Sequence, residues 1–485
     1  MIGDIIKKEI LDNLLGHKFL FIFILCSVLI LFSVYIGAVD YVESRKEYDA
    51  NMASLNERMQ QPNSSVLSER MGYRIYRPPQ VLRTVVAGVE DAAGRVSYPN
   101  QLYENNLAES RHESKTIFTL FGSLDLMFAV KFILSLCALF LAYDTISGEK
   151  EKGTLKLTLS NSISRAQLIS GKIIGNYVSM LLLFLTPLLM SLIVLLLFPG
   201  ISLNGEDWLR LLFIFLMFLL YVSVFFALGI FVSTMTARAS TSFLVLLFLW
   251  IALVIVIPGA SVVGAEYVRP IPSSSLLASQ KGLFWSGTIQ EVSTEINKKM
   301  NEVSAKFLPR ATELRLLMEK NPDRYKDELA KLNAERNEEL SKLSRGTSQE
   351  IDDRVAVYNV QADREYQLKK DAQQNLAKNL SRISPASALT FGSMTLARTG
   401  TDEYDRFLAA TRSYRPIFRS WRNALSNTQE QIDADTLLAM PQLPFVPEKP
   451  VELLARTLSD FALMVAMSIL LLTGAFFAFL RYDVR

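Results

Sequence analysis

D-T-I-S-G-E-K-E-K-G-T-L-K-L-T-L-S-N-S-I-S-R-A-Q-L-I-S-G-K, residues 144–172, is a polar island between two long apolar segments. Glu149 to Lys152 is compact and charged, and Gly153 interrupts it. Leu155, Leu157 and Leu159 then alternate with Thr154, Lys156 and Thr158, a pattern open to a short helix or an extended segment. Ser164 followed by Gln167 has the spacing of a capping box, which predicts the start of a new helix. A turn is expected at 161–163 between the two. The island therefore reads as a loop that leaves and re-enters a membrane at one face.

Working outward, apolar runs of about the 20 residues a span needs occur on both sides. Phe19–Val39 is the first, Leu124–Ala142 the second, Asn176–Phe198 the third and Leu209–Val232 the fourth. Phe243–Ile257, closed by Pro258-Gly259, is the fifth, and Phe461–Leu480 the sixth. The loop proper is then 143–175. Met1–Lys18 carries Ile2, Ile5, Ile6, Ile10 and Leu14 on one helical face, which predicts an amphipathic helix in the membrane interface. A signal peptide is the rival reading of the N-terminus, but the apolar run is too long for an h-region. Lys7, Lys8, Lys18, Lys150, Lys152, Lys156, Arg165, Lys172, Arg238, Arg481 and Arg485 all fall on one face when successive spans alternate in direction. By the positive-inside rule both termini and the 143–175 loop are expected in the cytoplasm of a multi-pass inner (plasma) membrane protein. Alternation then puts 40–123 and 258–460 outside.

The chain is 50% hydrophobic yet 20% charged, so apolar and charged parts must be segregated. Ile289–Arg382 holds much of the charge. Val292, Ile296, Met300, Val303 and Phe307 recur there at helical spacing, as do Ala362, Tyr366, Leu376, Leu380 and Ile383. Long helices packed as hairpins are expected, interrupted at Pro309 and Pro322. The apolar stripe is most simply core; an arm that binds an extracytoplasmic partner is the sharper reading. Arg74–Val86 reads as short strands. A net charge of +3 gives no reason to expect nucleic acid. Cys26 and Cys137 lie inside apolar runs, and His17 and His112 are the two histidines, so disulfide and histidine-metal sites are not expected. Met52, Met59, Met71, Met300, Met318, Met394 and Met440 are too scattered for a soft copper site.

The island resembles the loop between the second and third spans of ABC-2 type transporter permeases. Glu149, Glu151, Gly153, Thr154, Leu155, Leu159, Ser160, Ser164, Arg165, Gly171 and Lys172 carry the likeness; Ser162 stands where many members have Pro. Phe121–Asp144 looks like the second span of the branch that includes permeases linked to maturation of multicopper enzymes such as nitrous-oxide reductase. Arg77–Val89 and Ser384–Gly400 are similar to that branch's two outside domains. The resemblance implies a mainly α, six-span membrane protein of ABC-2 (type V exporter-like) architecture with two extracytoplasmic domains, the larger one helical. It implies a coupling helix on cytoplasmic ATPase subunits, with ATP and Mg held there and no cofactor in this chain. A second permease subunit, identical or paralogous, and membrane lipids are the other partners it implies.

On that reading Glu149, Glu151, Gly153, Thr154, Leu155, Leu159, Ser164 and Arg165 face the ATPase. Leu155 and Leu159 act as apolar knobs, and if Gly153 adopts a positive φ a β-branched residue there is harmful. This chain has no ATP site of its own: Gly171-Lys172 lacks the earlier Gly of a phosphate loop, because position 166 is Ala166, and Ile173 replaces Ser or Thr. No catalytic constellation is visible either. Asp125 and Lys131 are ionisable groups at the second span and functional candidates for that reason, with snorkelling of Lys131 as the plainer reading. Pro187 is expected to kink the third span. The expected function is an ATP-driven export permease. The alternative is a mechanical transmitter that moves an envelope partner without translocating substrate.

Overall fold

A computed structural model describes residues 2–59, 74–90, 95–97, 125–160, 163–318, 322–426 and 440–482. The turn at 161–162, Gly94, Met71, His112 and most of 91–124 lie outside the described residues. The chain divides into two units, Met1–Ser261 with Lys378–Arg485, and Val262–Ala377.

The first unit is a helical bundle. Helix α1 (Ile2–Leu14) precedes α2 (His17–Met59), which holds the first span and runs on well past it, as the charged helical spacing of 41–59 predicts. The second span is α3 (Leu126–Phe128), a π-helical segment (Ala129–Leu134) and α4 (Ser135–Ala142). Short helices α5 (Ser147–Glu151) and α6 (Thr154–Leu159) follow, then α7 (Arg165–Leu197) and α8 (Gly205–Met235). Helix α9 (Ala239–Ile251), a second π segment (Ala252–Val256) and α10 (Ile257–Val268) make the fifth span, and α15 (Pro450–Leu480) the sixth. Among the described residues six helices are long and apolar enough to cross a membrane.

The fifth span runs to Val268 instead of ending at Pro258-Gly259. The π segment explains why. The Ile257 N–H bonds Ala252 O, five residues back, and Pro258 has no N–H to give. Leu253 O is left without a donor from either register, and the Ser384 hydroxyl donates to it. The second span follows the same logic: Ser135 N–H passes over Lys131 O to reach Val130 O. Lys131 O instead accepts Tyr221 OH at 2.8 Å and Ser135 Oγ at 2.7 Å. Pro187 is buried within α7, which continues through it.

Two stretches expected outside the membrane enter the core of the spans. Leu82, Val85 and Val86, on and after a 3-10 turn at Val81–Thr84, belong to it. So do Ala386, Ala388, Leu389, Leu396 and Ala397 of α13 (Pro385–Ala397), which packs on α8 and α15. Of the strands expected at 74–86, only Ile75–Tyr76 forms, paired antiparallel with Val96–Ser97. A smaller core of Ile75, Phe407, Leu408, Tyr414 and Phe418 joins that strand to α14 (Thr401–Ser426).

The second unit is a hairpin built from α11 (Ser274–Met318) and α12 (Pro322–Ser381). Phe284 stacks on Tyr358 at 3.9 Å, and Lys281 pairs with Asp363 at 2.5 Å. Further along, Arg310 meets Glu335 and Lys306 meets Glu339, each at 3.0 Å. The expected stripe from Val292 to Phe307 is the half-buried face of α11. Pro309 does not break that helix: it lies on the exposed side, where water can satisfy the carbonyl its ring leaves without a donor. Pro322 opens α12, a position that needs no N–H.

Gly37 in the first span touches the main chain of Thr84, and a Cβ there would collide with the Thr84 carbonyl. A Cβ on Gly259 would meet nothing within 4 Å. Gly37→Ala should therefore cost about 1–3 kcal/mol, the usual penalty of overpacking, while Gly259→Ala should leave stability unchanged or slightly raised. Thermal unfolding in detergent checks this; equal midpoints for both variants would refute the close approach.

Candidate functional site

Lys172 is the centre of the loop end of the bundle, the end that carries residues 144–172. Its side chain is 4% exposed, and its Nζ lies 2.6 Å from Glu9 Oε1 and 2.7 Å from Glu149 Oε1. Asn176, one turn on, donates to Glu9 Oε2 at 3.0 Å and accepts from Asn13 Nδ2 at 2.9 Å. Three segments distant in sequence thus meet on one ammonium: α1, α5 and α7. The backbones come close because Gly171 and Gly175 face α1. A Cβ on Gly171 would lie 2.7 Å from Ile5 Cγ2, and one on Gly175 would lie 2.7 Å from Glu9 Cβ. Helix α1 therefore packs against the third span, not only along a membrane surface. The Gly171-x-x-x-Gly175 spacing, continued by Ser179, is the signal that would have revealed this docking.

The rest of the loop is bonded to the ends of the other spans. The Ser233 hydroxyl accepts the Ile146 and Ser147 amides at 3.1 and 3.0 Å, which caps α5 from α8. Lys150 donates to Thr234 O, and to Thr236 O at 3.2 Å, so a cation sits on the C-terminal carbonyls of α8. Its ammonium also lies 4.4 Å from the Tyr482 ring. Glu151 accepts the Ala239 amide at 2.9 Å, an anion on the N-terminus of α9. Arg165 donates to Leu480 O and Tyr482 O at 3.1 and 3.0 Å, closing the C-terminus of α15. Lys18 at the start of the first span pairs with Asp144 at 2.9 Å and lies 4.3 Å from the Tyr143 ring. Each of the six spans is thus tied into residues 144–172.

Within the loop the capping box forms as its spacing predicts: Ser164 Oγ accepts Gln167 N, and Gln167 Oε1 accepts Ser164 N, each at 3.3 Å. Gly153 adopts φ +73°, between α5 and α6. The 154–159 stretch is helical, so its three leucines diverge. Leu155 is 1% exposed and lies in this chain's own core, and Leu159 packs partly against it. Leu157 points outward at 70% exposure. The expectation of an outward knob is corrected for Leu155, while Leu159 is half-buried. Leu155 and Leu159, four residues apart, share one side of the helix, and that side is the one turned into this chain's core; Leu157, a step of about 200° away, lies on the other. Glu149 and Glu151 likewise serve this chain, through Lys172 and Ala239. Thr154, Lys156, Ser164 and Arg165 remain exposed.

The other candidates lie elsewhere. Asp125 is buried at the far end of the second span and accepts the Ala87 and Phe128 amides, each at 2.8 Å. Lys131 is on the π segment, and Pro187 is in the middle of α7.

A family model described as ABC-2 family transporter protein matches residues 4–484, nearly the whole chain. The chain belongs to the ABC-2 family. The six long apolar helices among its described residues are in keeping with a multi-pass membrane protein of that family. The probable ABC transporter permease protein NosY of Pseudomonas aeruginosa is 51% identical over 45 residues, 9% of this chain and 16% of that protein. The likeness thus spans well under two thirds of that relative's length.

Removing one partner of a buried ion cluster leaves uncompensated charge, a loss of about 3–5 kcal/mol. Lys172→Met leaves Glu9 and Glu149 facing each other and should lower the unfolding midpoint sharply. Adding Glu9→Gln and Glu149→Gln to Lys172→Met should restore most of it. A Lys172→Met protein as stable as wild type would refute the cluster.

Proposed function

We propose that this ABC-2 permease exports its substrate under the drive of separate ATPase subunits, which dock on the outer side of α5 and α6. The observation that carries this reading is Leu157, a leucine 70% exposed on a helix whose other apolar side chains turn inward. Around it stand Thr154, Lys156 and Ser160, all exposed. An apolar side chain set in a polar rim is how a docking anchor is built. Behind it the loop is bonded to the spans, so force on α6 has a rigid path into them. ATP and Mg belong to the partner subunits, since the chain has no phosphate-cradling loop. Two permease chains, identical or paralogous, flank the pathway. The basic residues of the loop end favour the cytoplasm for it and for both termini.

The test uses the chain purified with its ATPase subunits from native membranes. Leu157→Asp should abolish co-purification of the ATPase and the hydrolysis it brings, and Leu155→Ala should lower stability while keeping association per folded molecule. Wild-type association and hydrolysis by Leu157→Asp would overturn the docking assignment. Sidedness is read separately, in a background without Cys26 and Cys137. A cysteine at 342 should react with an impermeant maleimide on intact cells, and one at 157 only after permeabilisation.

A further inference from the structure

Lys131 is the charged group that neither the family nor the loop accounts for. It lies in the second span, six residues beyond Asp125, or about 9 Å along the axis at the helical rise. Its side chain is half-buried, on a flank of the span shared with Phe128, Phe132 and Ile133. The ammonium lies 5.3 Å from the Phe132 ring centroid. Among the described residues its Nζ has no ion pair and no hydrogen-bond acceptor. Asp125, whose charge acts on it, is engaged by the Ala87 and Phe128 amides.

A charge in a span without a counter-ion is costly, and a bundle normally buries or pairs it. Here the backbone is built to hold it where it is. Lys131 sits on the π segment, whose diverted carbonyl is that of Lys131 itself, fixed by Tyr221 of the fourth span and by Ser135. Ser135 in turn accepts the Trp250 indole N–H of the fifth span at 2.9 Å. Three spans therefore maintain one widened turn, and such turns concentrate at functional positions. The surrounding rings are ordered: Phe128 and Phe132 lie 4.7 Å apart, and Phe132 meets Trp250 edge-on at 6.5 Å.

Three acids toward the far end of the described spans, Asp40, Asp207 and Asp460, are each paired with an arginine of their own chain: Arg83, Arg210 and Arg382. A lysine stem set about two turns below the end of the span can extend its head to the headgroup layer, with aromatic side chains at the same level to take the glycerol and upper acyl chain.

We propose that Lys131, with Phe128, Phe132 and Trp250, forms a binding site for the phosphate headgroup of an anionic lipid in the leaflet remote from the 144–172 loop. The proposal is independent of how the ATPase docks. It is tested by native mass spectrometry of the full chain in detergent, titrated with phosphatidylglycerol or phosphatidylcholine. Wild type should retain phosphatidylglycerol about fivefold more strongly than phosphatidylcholine, as expected for one basic side chain at an anionic headgroup. Lys131→Met should lose that preference, and Lys131→Arg should keep it. Thermal unfolding shows whether each variant is folded; if Lys131→Met is not, the wild-type preference and its persistence in Lys131→Arg decide. Preference retained in folded Lys131→Met, or absent from wild type, overturns the proposal. An excess of inorganic phosphate separates the sources of the anion. Failure to displace the lipid supports the lipid site, and displacement overturns it in favour of a soluble phosphate.

Discussion

One lysine in contact with two carboxylates organises the loop end of this molecule. Lys172 holds Glu9 of the N-terminal helix and Glu149 of the loop at 2.6 and 2.7 Å, in a setting from which water is largely excluded. A cluster of this kind adds little net stability over an apolar replacement, yet breaking one arm of it is expensive. Its use is therefore positional: it fixes where α1 and α5 stand relative to the third span. The remaining loop contacts repeat one electrostatic rule. Lys150 and Arg165 lie on the C-terminal carbonyls of the fourth and sixth spans, and Glu151 lies on the N-terminal amides of the fifth. Each charge has the sign that the helix end prefers. A polar segment of a membrane protein is thereby made into the common fastening of all its spans.

At the far end the fastening is of a different kind. Backbone segments enter among the spans, and their polar groups are satisfied by specific side chains. Asp125 takes two main-chain amides, and Ser384 completes a carbonyl that a π turn and a proline leave without a donor. In a bilayer core such backbone is tolerated only when protein supplies these partners. The two π turns mark the places where the second and fifth spans yield their regular ladders to make room.

Much of this was legible in the sequence wherever the signal is local. The spans announce themselves by length and hydropathy, the start of the third by Ser164 and Gln167, and the long hairpin by its period. Gly153 marks the break in the charged run, and its positive φ is a finding of the structure. What was not legible depends on residues far apart in the chain. That Leu155 and Leu159 share one side follows once 154–159 is helical, but which side turns inward is set by packing against spans far away in the chain. The docking of α1 depends on Gly171 and Gly175 meeting Ile5 and Glu9, a pairing across more than 160 positions. The entry of Pro385–Ala397 into the bundle has a weak trace in its apolar, small-residue composition, but the charge of the preceding helix obscures it.

The central claim is that residues 144–172 move as one body with the spans they fasten. Spin labels at the exposed positions Lys152 and Met235 of one chain report on it directly, by pulsed distance measurement on the complex with its ATPase subunits. The account predicts one narrow intrachain distance that is the same with and without a non-hydrolysable ATP analogue, because Ser233 and Lys150 tie the loop to the end of α8. A nucleotide-dependent shift or broadening of that distance would contradict it, since the loop would then flex without carrying the bundle.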